Sequence, residues 1–253
     1  MLLLSKSERD RLLSKLSQKL QNNADPKTKQ WFDNYLKGAI VYRGLKTPLV
    51  KTLVKQWHQE HNLSQCELSS QLELCLDLLA GSFAEDKFAG TLYIQLYLLK
   101  KIDYQILLPK FDWLFQQGDF YDWSTTDWFC TRILDPLIIK NGMDAATVVA
   151  SWQNSENLWQ RRAAIVAFRK ASLHPEYHPL IEQIIATLVK EQERFIQTGI
   201  GWVLSDMSKK YPTKVEALFR QYIQEFCKEV IDRHAKYLPC HQELKKLKRS
   251  LPD

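Results

Sequence analysis

The stretch EYHPLIEQIIATLVKEQERFIQTGIGWVLSDMSKKYPTKVEALFRQYIQEF, residues 176–226, decides the fold class. Within it Tyr177, Leu180, Ile181, Ile184, Ile185 and Leu188 recur at three-or-four spacing, as do Val215, Leu218, Phe219, Tyr222, Ile223 and Phe226. Such spacing gathers each set on one side of a 3.6-residue helix. Pro179 and Pro212 open two of the segments, where a missing N–H breaks no ladder. The pattern continues outward in both directions. Trp31, Phe32, Tyr35, Leu36, Ala39 and Ile40 form another stripe, and prolines at 26, 48, 109, 136, 175 and 239 punctuate the chain.

Helices are expected over 6–22, 27–41, 47–60, 65–80, 84–101, 103–117, 122–140, 143–153, 155–171, 176–190, 192–210, 212–226, 229–237 and 240–249. Thr91–Leu99 (TLYIQLYLL) alternates like a strand, but its leucines are not β-branched and helix formers precede it, so it reads as a buried helix. Short gaps set neighbouring helices antiparallel. The expectation is an all-α chain, an α-solenoid of about six HEAT-like antiparallel pairs at about 40 residues each, curved into a single domain over 1–253. No Gly-, Ser- or Pro-rich linker divides it.

The 253 residues carry 35 Lys and Arg against 29 Asp and Glu, a formal charge of +6. The excess is uneven. Residues 1–55 hold twelve basic against four acidic side chains, residues 233–249 six against one, and residues 56–116 four against eight. Two basic ends around an acidic stretch suit a polyanionic partner. No apolar run is long enough to span a bilayer, and the opening MLLLSKSERDR lacks the apolar core of a secretory signal. Cys66, Cys75, Cys130, Cys227 and Cys240 are scattered and odd in number, so reduced thiols in a cytoplasmic protein are expected. None of the eight glycines forms a dinucleotide or P-loop pattern, and the histidines lack metal-ligand spacing. Neither cofactor nor metal is expected.

Three clusters bear chemistry. In YDWSTTDWF (121–129), Trp123 and Asp127 stand four apart on one helix face, an indole beside a carboxylate suited to a cationic centre. The alternative is a packing tryptophan and a surface or capping carboxylate. In ENLWQRRAAIVAF (156–168), Arg161 and Arg162 edge a buried stretch, placed either to grip a phosphate or to make structural ion pairs. In TGIGWVLSD (198–206), Gly199 and Gly201 interrupt a helix just before Trp202, which points to a close helix contact or a reachable backbone.

Taken in this order, the clusters resemble the AlkD-like family of DNA alkylation repair glycosylases. The likeness runs from YLKGAIVYRGLKTP (35–48), with its G-x-x-T-P turn at Gly44, Thr47 and Pro48, to IDRHAKYL (231–238). Between them lie W-x-x-x-D at Trp123 and Asp127, N-x-W-x-R-R at Asn157, Trp159, Arg161 and Arg162, and I-G-W at Ile200, Gly201 and Trp202. The resemblance implies a monomer with a basic concave face for duplex DNA. It also implies hydrolysis of the N-glycosidic bond of cationic purines such as 3-methyladenine and 7-methylguanine, with the base left in the stack. By that resemblance Trp123, Asp127 and Trp202 are catalytic, and Arg162 and Tyr35 lie at the DNA; the basic ends offer Lys37, Arg43, Lys46, Arg233 and Lys236 as candidates for backbone contacts, with Arg161 a further candidate. The chain departs from the family at Ser124, Thr125 and Thr126, and at Thr198 and Ser205, where cations are common. A non-catalytic binder of damaged or branched DNA, or a HEAT-type protein scaffold, are the rival expectations.

Overall fold

A computed structural model describes residues 2–251, and every regular element among them is helical. The chain divides into two compact units, 1–133 and 134–253.

The first unit opens with α1 (Lys6–Asn22), started by a capping box in which Ser5 and Glu8 satisfy each other's backbone N–H groups. Asp25 caps α2 (Pro26–Leu36), with Pro26 in the first turn. This helix stops five residues short of the expected end. Lys37 turns left-handed (φ 53°) and Gly38 follows at φ 78°, so the chain leaves the helix before Ala39 and Ile40. Next come α3 (Thr47–Glu60), α4 (Leu68–Leu79) and α5 (Ala84–Tyr93). The ambiguous TLYIQLYLL segment is helical as expected, but its second half, Ile94–Leu98, winds as a π-helical turn. α6 (Tyr104–Gln116) holds Pro109 in its interior, contrary to the expectation that prolines sit between helices, and the helix lacks the bond Pro109 would have donated. α7 (Trp123–Phe129) runs into a second π-helical turn, Cys130–Leu134. α5 packs against α3, α4 and α7, and Trp57, Tyr93, Phe111, Phe115 and Phe129 are nearly or wholly buried.

The second unit begins with α8 (Asp135–Ser151), broken at Gly142 (φ 69°, ψ −151°) where the sequence had separated two helices. Then follow α9 (Leu158–Val166), α10 (His178–Leu188), α11 (Arg194–Met207), α12 (Pro212–Gln221), α13 (Lys228–His234) and α14 (His241–Ser250). α11 is central here, packed on α9 and α13. The two glycines explain the closeness. A Cβ on Gly199 would lie 3.2 Å from Arg162 Nη1, and one on Gly201 2.6 Å from the His234 ring. The close helix contact expected from TGIGW is therefore the observed one.

Among the described residues no helix is long and apolar enough to cross a membrane. Four of the five cysteines are buried and all are unpaired.

Candidate functional site

α7 presents the first part of the site. Its N-cap is Asp122, wholly buried, whose carboxylate accepts from the Ser124 and Thr125 N–H groups at 2.7 and 3.1 Å. It also accepts from both hydroxyls, at 2.5 Å from Ser124 and in a short bond from Thr125. Ser124 and Thr125, two of the residues that depart from the family pattern, thus lock the first turn, and the capping carboxylate is Asp122 rather than Asp127. This leaves Asp127 one turn further on, only 7% exposed, above the start of the π-helical turn. Trp123 opens α7 half-buried, four residues before it.

An aromatic row leads away from Trp123. Tyr35 on α2 meets its ring edge-on at 5.6 Å, and Trp31 stacks on Tyr35 at 5.1 Å and 19°. Tyr35 and Trp31 are 56% and 58% exposed. Sequence reasoning named Tyr35 and Trp123 but passed over Trp31 as a stripe residue; its i,i+4 spacing to Tyr35 was the available signal.

The second unit holds Trp202, half-buried on α11. The Arg169 guanidinium lies 3.6 Å over its ring, and Asp206 holds Arg169 through its Nε at 2.6 Å. Asp206 also accepts from Lys209 at 2.5 Å. Arg169 and Asp206 were not anticipated. Trp202 and Asp206 repeat the W-x-x-x-D spacing of Trp123 and Asp127, which was the legible hint. Arg162 is 4% exposed, donating to the Phe195 carbonyl in a short bond and to the Thr198 hydroxyl at 3.3 Å. Thr198, where the family often has a cation, seats that arginine instead. Beside it, burial pushes His234 down to about 4, leaving it neutral.

Several residues expected at phosphates have partners within the chain. Arg43 is a correction: its side chain is 3% exposed and pairs in bidentate fashion with Asp86 at 2.8 and 3.0 Å. It also donates to Ser17 and covers the Phe83 ring. Burial raises the Asp86 carboxyl above its ordinary range, against the pull of Arg43. Arg161 takes the structural alternative, bound to Glu191 at 3.0 Å and to the Ser155 and Glu156 carbonyls at 2.8 Å each. Arg233 is exposed, but pairs with Glu229 at 2.6 Å. Arg194, with Arg233 adding to it, holds Glu229 at about 2. Lys37, Lys46 and Lys236 are exposed, the last near the Tyr237 ring.

Helices in this order define an all-α protein. The model of a family described as "DNA alkylation repair enzyme" matches residues 16–238, and the chain belongs to that family. The chain is similar in structure to a "predicted DNA alkylation repair enzyme from Enterococcus faecalis", with a TM-score of 0.71 at 20% identity, over 85% of this chain and 97% of that one. That likeness speaks to the fold. No curated protein sequence matches the chain.

Proposed function

We propose that the chain is a monofunctional DNA glycosylase that hydrolyses the N-glycosidic bond of cationic N3- and N7-alkylated purines in duplex DNA. It would act as a cytoplasmic monomer without metal or cofactor, and without flipping the base from the stack. The observation that carries this reading is Asp127, a nearly buried carboxylate one turn from the half-exposed Trp123 indole. The alkylated base already bears positive charge, so it departs as a neutral purine and needs no general acid. Positive charge then develops on the deoxyribose. A carboxylate in a poorly hydrated position stabilises that charge more than it would in water, and it orients or deprotonates the attacking water. Water oxygen bonds to the sugar carbon, the bond to the base nitrogen breaks, and an abasic site remains. The Trp123 ring offers an electron-rich surface to the same cation. The family resemblance assigns Trp202 to this reaction and Arg162 and Tyr35 to the DNA. Exposed Lys37, Lys46 and Lys236 supply salt-dependent backbone binding.

The test is a duplex carrying one 7-methylguanine. The expected products are free 7-methylguanine and a strand that breaks only on later alkali treatment. A non-catalytic DNA-binding relative is the second reading, favoured by Thr198 and Ser205 where the family commonly has cations. Salt-sensitive duplex binding without base release would select it.

A further inference from the structure

A cleft of about 650 Å³ opens beside α2, lined by Asp25, Lys27, Thr28, Trp31, Lys46 and Thr47 among others. Its size lies in the range of small-molecule pockets, roughly 300–1,000 Å³. Trp31 supplies an aromatic wall. Tyr35, one turn on, covers one face of the indole, while Lys27 and Thr28, one turn back, share the cleft with it. Lys27 and Lys46 are exposed and flank the opening, against one carboxylate, Asp25. That carboxylate is engaged by the Thr28 N–H at 2.8 Å and the Thr28 hydroxyl at 2.6 Å.

We infer that this cleft is a binding site for an unstacked nucleotide of DNA, its base lying on the Trp31 indole and its phosphate between Lys27 and Lys46. Two features favour nucleic acid over an apolar partner. Two ammoniums and two hydroxyls edge the cleft beside its apolar Trp31, Phe32 and Pro48, and the surrounding residues 1–55 are strongly basic. Aromatic stacking combined with cations that follow the backbone is how single-stranded segments are held, because every base has a π-face. A paired base has both faces covered by its neighbours, so only a nucleotide displaced from the stack fits. The site therefore serves a nucleotide other than a lesion left in the helix, such as an unpaired or bulged one. The inference rests on the proposed DNA substrate but not on the glycosylase chemistry.

The experiment compares binding of a fully paired duplex with the same duplex carrying one unpaired adenine, neither of them alkylated, by fluorescence anisotropy at fixed salt. Stacking of one base on one aromatic ring predicts about a tenfold preference for the bulged duplex. Trp31→Ala should bring the ratio near one while binding to the paired duplex changes little. Trp31→Phe should keep most of the preference. Lys46→Gln should weaken both duplexes, the bulged one more. Trp31 is more than half exposed, so these variants leave the core intact. A wild-type ratio of one, or an unchanged preference in Trp31→Ala, overturns the inference. Base release from 7-methylguanine DNA is a separate readout, so failure of the glycosylase reading would leave the bulge preference standing.

Discussion

Arg169 lies with its guanidinium 3.6 Å over the Trp202 ring, held there by Asp206, one turn on from Trp202 in α11. One face of the indole is therefore already occupied by a cation of the protein itself, and its orientation is fixed before any ligand arrives. A cation over an indole contributes about 0.5–2 kcal/mol depending on how dry the contact is. A double-mutant cycle with Arg169→Ala and Trp202→Ala, read by denaturant unfolding, should return a coupling energy in that range. Coupling indistinguishable from zero would mean the stack does not persist in solution.

Arg43 and Asp86 make a second separable prediction. Removing one partner of a buried ion pair leaves an uncompensated charge and costs about 3–5 kcal/mol. Arg43→Ala should therefore lower the midpoint of urea unfolding sharply. Its salt dependence of DNA binding should match wild type, because the guanidinium is buried in its pair with Asp86. A normal unfolding midpoint with a shallower salt slope would return Arg43 to the DNA.

Burial raises Asp135 to about 6, against backbone N–H bonds from Lys170, at 3.1 Å, and Ala171. An unfolded aspartate titrates near 4, so the native chain binds the proton more tightly. Stability contributed by this group is present below about pH 4 and falls as pH rises through about 6. Asp135→Asn keeps an acceptor and removes the titration. Its stability relative to wild type should rise between pH 4 and 7 by an amount on the order of 2–3 kcal/mol. A pH-independent difference would contradict the assignment.

Gly201 packs so tightly on α13 that a methyl group would sit 2.6 Å from the His234 ring and 3.0 Å from Val230. Gly201→Ala should destabilise by about 1–3 kcal/mol, as overpacking does. Adding His234→Ala should recover part of that loss in thermal melts, because the clash is with the ring itself.

The helices were legible because their determinants are local. Stripes at three-or-four spacing, caps such as Ser5 and Asn157, and N-terminal prolines such as Pro26 and Pro212 each act within a turn or two. The break at Gly142 was visible for the same reason, while the early end of α2 hung on a left-handed Lys37 that residue type does not announce. Trp123, Asp127 and Tyr35 were singled out by spacing and family resemblance. The fate of the arginines was not legible. Arg43 pairs with a residue 43 positions away and Arg161 with one 30 positions away, and a run of basic residues does not disclose such partners. Arg169 escaped notice likewise, since its ring partner and its carboxylate both lie on α11, more than 30 positions away.

The most direct measurement compares wild type with Asp127→Asn under single-turnover conditions, with enzyme saturating a duplex that carries one 7-methylguanine. Loss of a charge that acts mainly on the transition state should slow base release by roughly a hundredfold or more while duplex affinity holds. Base release by Asp127→Asn at the wild-type rate would contradict the central role given to this carboxylate.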